Sequence, residues 1–142
     1  MNTYSFTVSL RISHPMWGDN DISKALNLRP KTAWSVGSPK TDGAGIAIEG
    51  LRDHTYWCYS FGEPQRDDLT SFLEKCIAQL AVHSEFFDKV AASGGETELF
   101  IGIFADRNIG VIIPLRVIAQ LDDVHCGLAF DIYPPAHDKR QP

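Results

Sequence analysis

Residues 3–12 alternate almost perfectly between two kinds of side chain. Tyr4, Phe6, Val8, Leu10 and Ile12 are apolar, and Thr3, Ser5, Thr7, Ser9 and Arg11 between them are polar or charged. Successive strand side chains point to opposite faces, so the pattern predicts a strand with one buried and one wet face. A sheet covered on one side only is the signature of an antiparallel or α+β domain, not of a parallel sheet covered on both. Asp19 and Asp21 are candidate helix caps, and Ile22, Ala25 and Leu26 share a helical face that Pro30 closes by about Leu28. The aromatic and β-branched run 54–61 predicts a second strong strand. Leu69, Phe72, Leu73, Cys76, Ile77 and Leu80 recur at steps of three and four, which predicts a long amphipathic helix over 67–82, opened by Asp67 and Asp68.

The rest of the chain completes the outline. Phe86, Phe87 and Val90 belong to a short helix that Gly94 and Gly95 terminate. Residues 97–104 read as a strand with apolar residues on both faces, and Gly110 to Ile113 as a shorter one. Pro114 suits the first turn of a helix through about Leu121, and 126–133 is the last strand. Residues 37–50 are rich in Gly, Ser, Pro and Asp and read as a long loop, with a short extended piece at Ile46–Ile48. The tail 134–142 has nothing to bury and reads as disordered. The expected fold is a single α+β domain over residues 1–142. Its sheet is mainly antiparallel with helices packed on one face, a ferredoxin-like variant.

Composition changes this picture in three ways. The formal net charge is −5, against 13 Lys and Arg, and phosphate-backbone binding depends on Lys and Arg, so nucleic acid is an unfavoured partner. The N-terminus lacks the features of a signal peptide, and the longest apolar run, Ile109 to Leu115, is far short of the ~20 residues that a membrane helix needs. Cys58, Cys76 and Cys126 are an odd number in no Cys-x-x-Cys pair, which suits buried small hydrophobes in a reducing cytoplasm.

Chemistry is sparse. There is no G-x-S-x-G, no H-E-x-x-H and no phosphate loop. His14, His54, His83, His125 and His137 lack metal-ligand spacing, so solvated or capping roles are expected, with no metal and no cofactor. Asp122 and Asp123 are odd, because they fall at a helix C-terminus, where negative charge is disfavoured; a turn, a cation or a partner's basic group could answer them. Trp57, Tyr59 and Phe61 share strand parity, so they are either core or an exposed aromatic surface. Asp131 sits in an apolar strand beside Tyr133 and must be solvated or hydrogen-bonded. A cleft formed by Trp34, Trp57, Asp131 and Tyr133, with Tyr59 nearby, is the candidate ligand or partner site.

Several of these residues also resemble a known family. Asp21-Ile22-Ser23, Leu26, Leu28, Pro30 and Gly37, the Trp57 strand, then Ile118, Ala119, Leu121 and Phe130-Asp131-Ile132-Tyr133 are similar to the bacterial domain of unknown function 4279. The likeness spans roughly residues 4–133. It implies a small intracellular α+β domain with no established activity and no catalytic residues to carry over. The expected function is a binding or interaction module, immunity- or antitoxin-like in one version, that takes a protein or small molecule and could form a homodimer. A small-ligand domain or hydrolase-like enzyme with a cleft near Asp131 is the alternative.

Overall fold

The computed structural model describes residues 3–134, so the expected disorder beyond Pro134 lies outside the described residues. The elements run β1 (Ser5–His14), α1 (Asp19–Leu26), β2 (Thr32–Trp34), β3 (Pro39–Thr41), β4 (Ala47–Leu51), β5 (Thr55–Ser60), α2 (Leu69–Ala81), α3 (Ser84–Ala92), β6 (Glu96–Phe104), α4 (Leu115–Asp123) and β7 (Cys126–Tyr133). Five strands form one sheet in the order β2-β5-β1-β6-β7, and β3 with β4 forms a separate hairpin. Every neighbouring pair in the main sheet is antiparallel except β6 with β7. Without the β3–β4 hairpin and the terminal α4–β7 unit, the remainder is βαββααβ, its second helical connection divided into α2 and α3, with strand order β2-β5-β1-β6. That is the ferredoxin-like arrangement, extended by one parallel edge strand.

The first strand explains the layering. Phe6, Val8, Leu10, Ile12 and His14 are buried, and the residues between them are half-buried. Register carries this parity outward: Tyr59 stands opposite Leu10 and Trp57 opposite Ile12 on one side, Ile101 opposite Val8 on the other. The four helices cover this face, with Ile22, Leu73, Leu80, Phe87 and Val117 inserted into one core. α2 starts where expected, with Asp68 as its cap: the Ser71 N–H donates to Asp68 Oδ2 at 3.0 Å. At α1 the cap position falls one residue earlier, on Gly18, whose N–H donates to Asp21 Oδ2 at 3.3 Å. α3 ends on Gly94 and Gly95: the Gly95 N–H reaches Val90 O at 2.8 Å and the Gly94 N–H reaches Ala91 O at 3.4 Å, a Schellman closure.

Two elements differ from the sequence expectation. The segment read as a loop, 37–50, holds most of the β3–β4 hairpin, and the extended piece expected at Ile46–Ile48 overlaps the start of β4. All five β4 residues are exposed, so no alternation of burial marked it in the sequence. Residues 110–113 form no strand and join no sheet; Ile109, Val111 and Ile113 instead pack on the core beside Ile103 and Phe130.

His14 does cap backbone groups, as its place at a segment end suggested, but from inside the core, where it is 1% exposed. The N–H groups of Met16 and Trp17 donate to Nδ1 at 3.0 and 2.9 Å. That leaves the ring proton on Nε2, 2.8 Å from Ser93 Oγ. The ring also stacks on Trp17 at 4.2 Å. Burial holds the imidazole below its ordinary range. The unfolded chain therefore binds this proton more readily than the folded one, and stability rises with pH across the window between the folded and unfolded values. On acidification through the ordinary histidine range, below about 6.5, wild type is expected to lose stability, by at most about 1.4 kcal/mol per pH unit for this one group. His14→Asn keeps an acceptor near Nδ1 and has no imidazole to titrate. Urea midpoints from pH 8 to pH 5 should therefore slope less in His14→Asn, and parallel slopes would show that His14 is not the group responsible.

Candidate functional site

The face of the sheet opposite the helices carries the polar half of β1 and mixed polar and aromatic residues from the other strands. Its centre is β1, with Ser5, Thr7, Ser9, Arg11 and Ser13 in a row. Register places Tyr56 beside Ser13 and Cys58 beside Arg11 on β5, and Glu98, Phe100, Gly102 and Phe104 on β6. Trp34 comes from β2, opposite Tyr56, and Asp131 and Tyr133 come from β7. The face is thus a floor of small hydroxyl-bearing residues with aromatic and guanidinium groups standing on it.

The densest group lies at the β2 edge. The Trp34 and Tyr56 rings stack at 4.8 Å and 30°. The Arg52 guanidinium carbon lies 3.9 Å from the centre of the Trp34 ring, a cation–π contact. Arg52 follows β4, so the hairpin is what delivers it. Its Nη2 donates to Thr41 O and Oγ1 at 3.2 and 3.3 Å, which ties it to β3. Thr55, buried at the start of β5, holds the loop that follows β2. Its hydroxyl donates to Trp17 O at 2.5 Å and accepts from the Val36 N–H at 2.9 Å. Between β2 and the hairpin an open cleft of about 740 Å³ is lined by Trp34, Ser35, Ser38, Asp42 and Arg52, among others.

A second group lies at the centre. Arg11 sits over the Phe100 ring at 3.6 Å and pairs with Glu98 at 3.6 Å. Burial, reinforced by Cys58, pushes the Tyr56 phenol up to about 12, so it stays protonated and neutral. At the far corner Tyr133 stacks on Phe104 at 5.0 Å, and its hydroxyl donates to the exposed Asp131 at 3.3 Å. An open cleft of about 600 Å³ beside it is lined by Ser5, Arg66, Phe104, Arg107 and Tyr133, among others.

The structure does not assemble the cleft expected from Trp34, Trp57, Asp131 and Tyr133. Trp57 and Tyr59 lie on the helix-covered face; Trp57 is fully buried and donates its indole N–H to Ser23 Oγ at 3.0 Å. Trp34 and Tyr133 share the open face but occupy diagonal corners. They are four strands and about eight residue pairs apart, about 30 Å at ordinary strand spacings. Trp17 packs on His14 and Phe86. Sequence reasoning missed Arg52 and Tyr56. The parity of Tyr56, opposite to that of Trp57, was the available signal for one of them.

The sequence profile of a domain of unknown function, DUF4279, matches residues 2–135. The chain belongs to the DUF4279 family. No curated protein and no solved structure matches it. In this DUF4279 domain the open face offers guanidinium and aromatic surface. Arg11 Nε, Trp34 Nε1 and Arg52 Nε are buried donors without a hydrogen-bond partner, and each unpaired donor costs about 1–3 kcal/mol. Burial pushes the Cys76 and Cys126 thiols up to about 12, which makes them poor nucleophiles at neutral pH. Among the described residues no three His, Cys, Asp or Glu side chains gather as metal ligands, and no helix is long and apolar enough to cross a membrane.

Proposed function

We propose that this DUF4279 domain is a binding module that takes a protein partner on its open sheet face, anchored at the Arg52–Trp34–Tyr56 stack. The stack itself carries the proposal. Trp, Tyr and Arg are the residue types that dominate binding energy at protein interfaces, and here all three stand in one half-buried column beside an open cleft. The half-buried Arg52 guanidinium over the Trp34 ring suits a partner that brings acceptors, such as carbonyl or carboxylate oxygens. The three buried, free cysteines suit a reducing cytoplasm, where an immunity- or antitoxin-like partner is one concrete version.

The enzyme alternative is less well supported. A hydrolase-like cleft near Asp131 would draw on Tyr133, His54 and Arg11, and of these only Tyr133 bonds to Asp131. Arg11 pairs with Glu98, His54 with Asp53, and Tyr133 with Asp131. The clefts on this face are open, whereas small-ligand sites enclose most of their ligand.

Affinity capture from the native cell extract tests the proposal, with wild type beside Trp34→Ala and Arg52→Ala. Both side chains are partly exposed, so both variants should keep the wild-type circular dichroism. Wild type should retain a protein that Trp34→Ala loses, with affinity for the isolated partner reduced about 30-fold or more, the scale of an interface hot spot. Equal retention by wild type and both variants would overturn the proposal, as would nucleic acid as the retained species.

A further inference from the structure

The outer flank of β7 and α4 is poorly covered. β7 runs eight residues in unbroken register with β6 and has no strand on its other side among the described residues. Of the devices that protect exposed edges it has no lysine, proline or bulge, and its one charge, Asp131, lies on the open face. Its helix-side residues Phe130 and Ile132 are 41% and 65% exposed. α4 adds to the same flank. Val117 and Leu121 face the core, and Arg116, Gln120 and Asp123 face α2, with Arg116 paired to Glu74 at 3.3 Å. The remaining positions, Leu115, Ile118, Ala119 and Asp122, are all exposed. Their i, i+3, i+4, i+7 spacing makes them one stripe, apolar except for its last residue.

The charges of α4 say what covers this stripe. Its N-terminal turn has no side-chain cap and no acidic residue, and its C-terminal turn carries Asp122, the wrong sign for that end of the dipole. The stripe is centred between Ile118 and Ala119. An antiparallel copy crossing at that centre brings Asp122 of each chain to the bare N-terminal turn of the other, and covers Leu115 and Ile118. The same twofold axis, set at the sheet edge, runs the two β7 strands antiparallel.

We propose that a second copy of this chain docks here, with β7 pairing to β7 and α4 packing on α4, so that two five-stranded sheets become one. The operator leaves both open faces on the same side, with the two Trp34 stacks at opposite ends of a continuous surface.

Sedimentation velocity of the full chain over a concentration series tests this. Wild type should be a dimer and Ile118→Asp a monomer with unchanged circular dichroism. Asp122→Asn, which loses two symmetric helix-end contacts, should weaken the dimer about 3- to 30-fold at low salt. Ala119→Cys lies beside the axis and should cross-link to itself with a short bis-maleimide. Lys24→Cys on α1 should not, and the native thiols are buried. The cross-link decides the matter if Ile118→Asp fails to fold. A monomeric wild type, a dimer that survives Ile118→Asp, or an Ala119→Cys variant that does not cross-link would each overturn the proposal. None of these results depends on the Trp34 stack.

Discussion

Trp57→Ala is expected to lower the unfolding free energy by about 3–5 kcal/mol, the range for deleting a large buried aromatic. Trp57 is the largest fully buried side chain in the domain, and it stands between Ile12 and Ala33 on the covered face. Its loss opens a cavity under α1 and orphans the Ser23 hydroxyl that receives the indole N–H at 3.0 Å. The total stability of a domain of this kind is about 5–15 kcal/mol, so the variant should fold with a much lower urea midpoint, or sit near its transition without urea. Ser23→Ala separates the two contributions. It keeps the packing but leaves the buried indole donor unpaired, and should cost about 1–3 kcal/mol. Far-ultraviolet circular dichroism is the right probe, because the substitution removes a fluorophore. A Trp57→Ala midpoint within error of wild type would mean that Trp57 is not in the core.

How legible this was in the sequence can be judged on Trp57 itself. Strand parity correctly grouped Trp57, Tyr59 and Phe61 on one face, because alternation is a local property of the backbone. It could not say which face the helices cover, since Tyr56 on the opposite face is equally aromatic. That choice was made by α1, which brings Ser23 to the indole from 34 residues away. The α+β layering was legible for the same local reason: the period of two in β1 and the stripe from Leu69 to Leu80 in α2 each report one buried face.

The candidate site was less legible, because it depends on strand order. Trp34 and Tyr133 each lie on the open face, but β2 and β7 are opposite edges of the sheet. Nothing in the spacing of residues along the chain encodes that separation. Arg52 was hidden for another reason. It is delivered by a hairpin with no buried face of its own, so its strands carry no hydrophobic period. Its contact with Trp34 arises from the turn that returns the chain to β5. The oddity of Asp122 was visible in the sequence; the bare N-terminal turn that could answer it emerged only with the capping geometry of α4.

The second large effect belongs to a residue with no side chain. Gly95→Ala is expected to cost about 1–3 kcal/mol, the usual penalty for overpacking a close-fitted interior, and to fall at the upper end of that range. A Cβ at this position would lie 2.7 Å from His14 Cδ2, 2.7 Å from Val90 Cγ1 and 2.9 Å from Ser13 O. None of the three can yield easily. Ser13 O is backbone of the central strand, Val90 is buried in α3, and the His14 ring is held by Met16, Trp17 and Ser93. The only escape is to move the Schellman turn away from β1, which lengthens the Gly95 N–H to Val90 O bond that closes α3. Gly43→Ala is the matched control, because nothing stands within 4 Å of the Cβ it would add, and it should stay within about 0.5 kcal/mol of wild type. The two substitutions add the same methyl group to different surroundings, so the difference between their urea midpoints isolates the close approach. Because the added methyl presses on the imidazole, Gly95→Ala should also change the slope of stability with pH that His14 imposes, and Gly43→Ala should leave it alone. Equal midpoints for the two variants would show that α3 and β1 are not packed this tightly at Gly95.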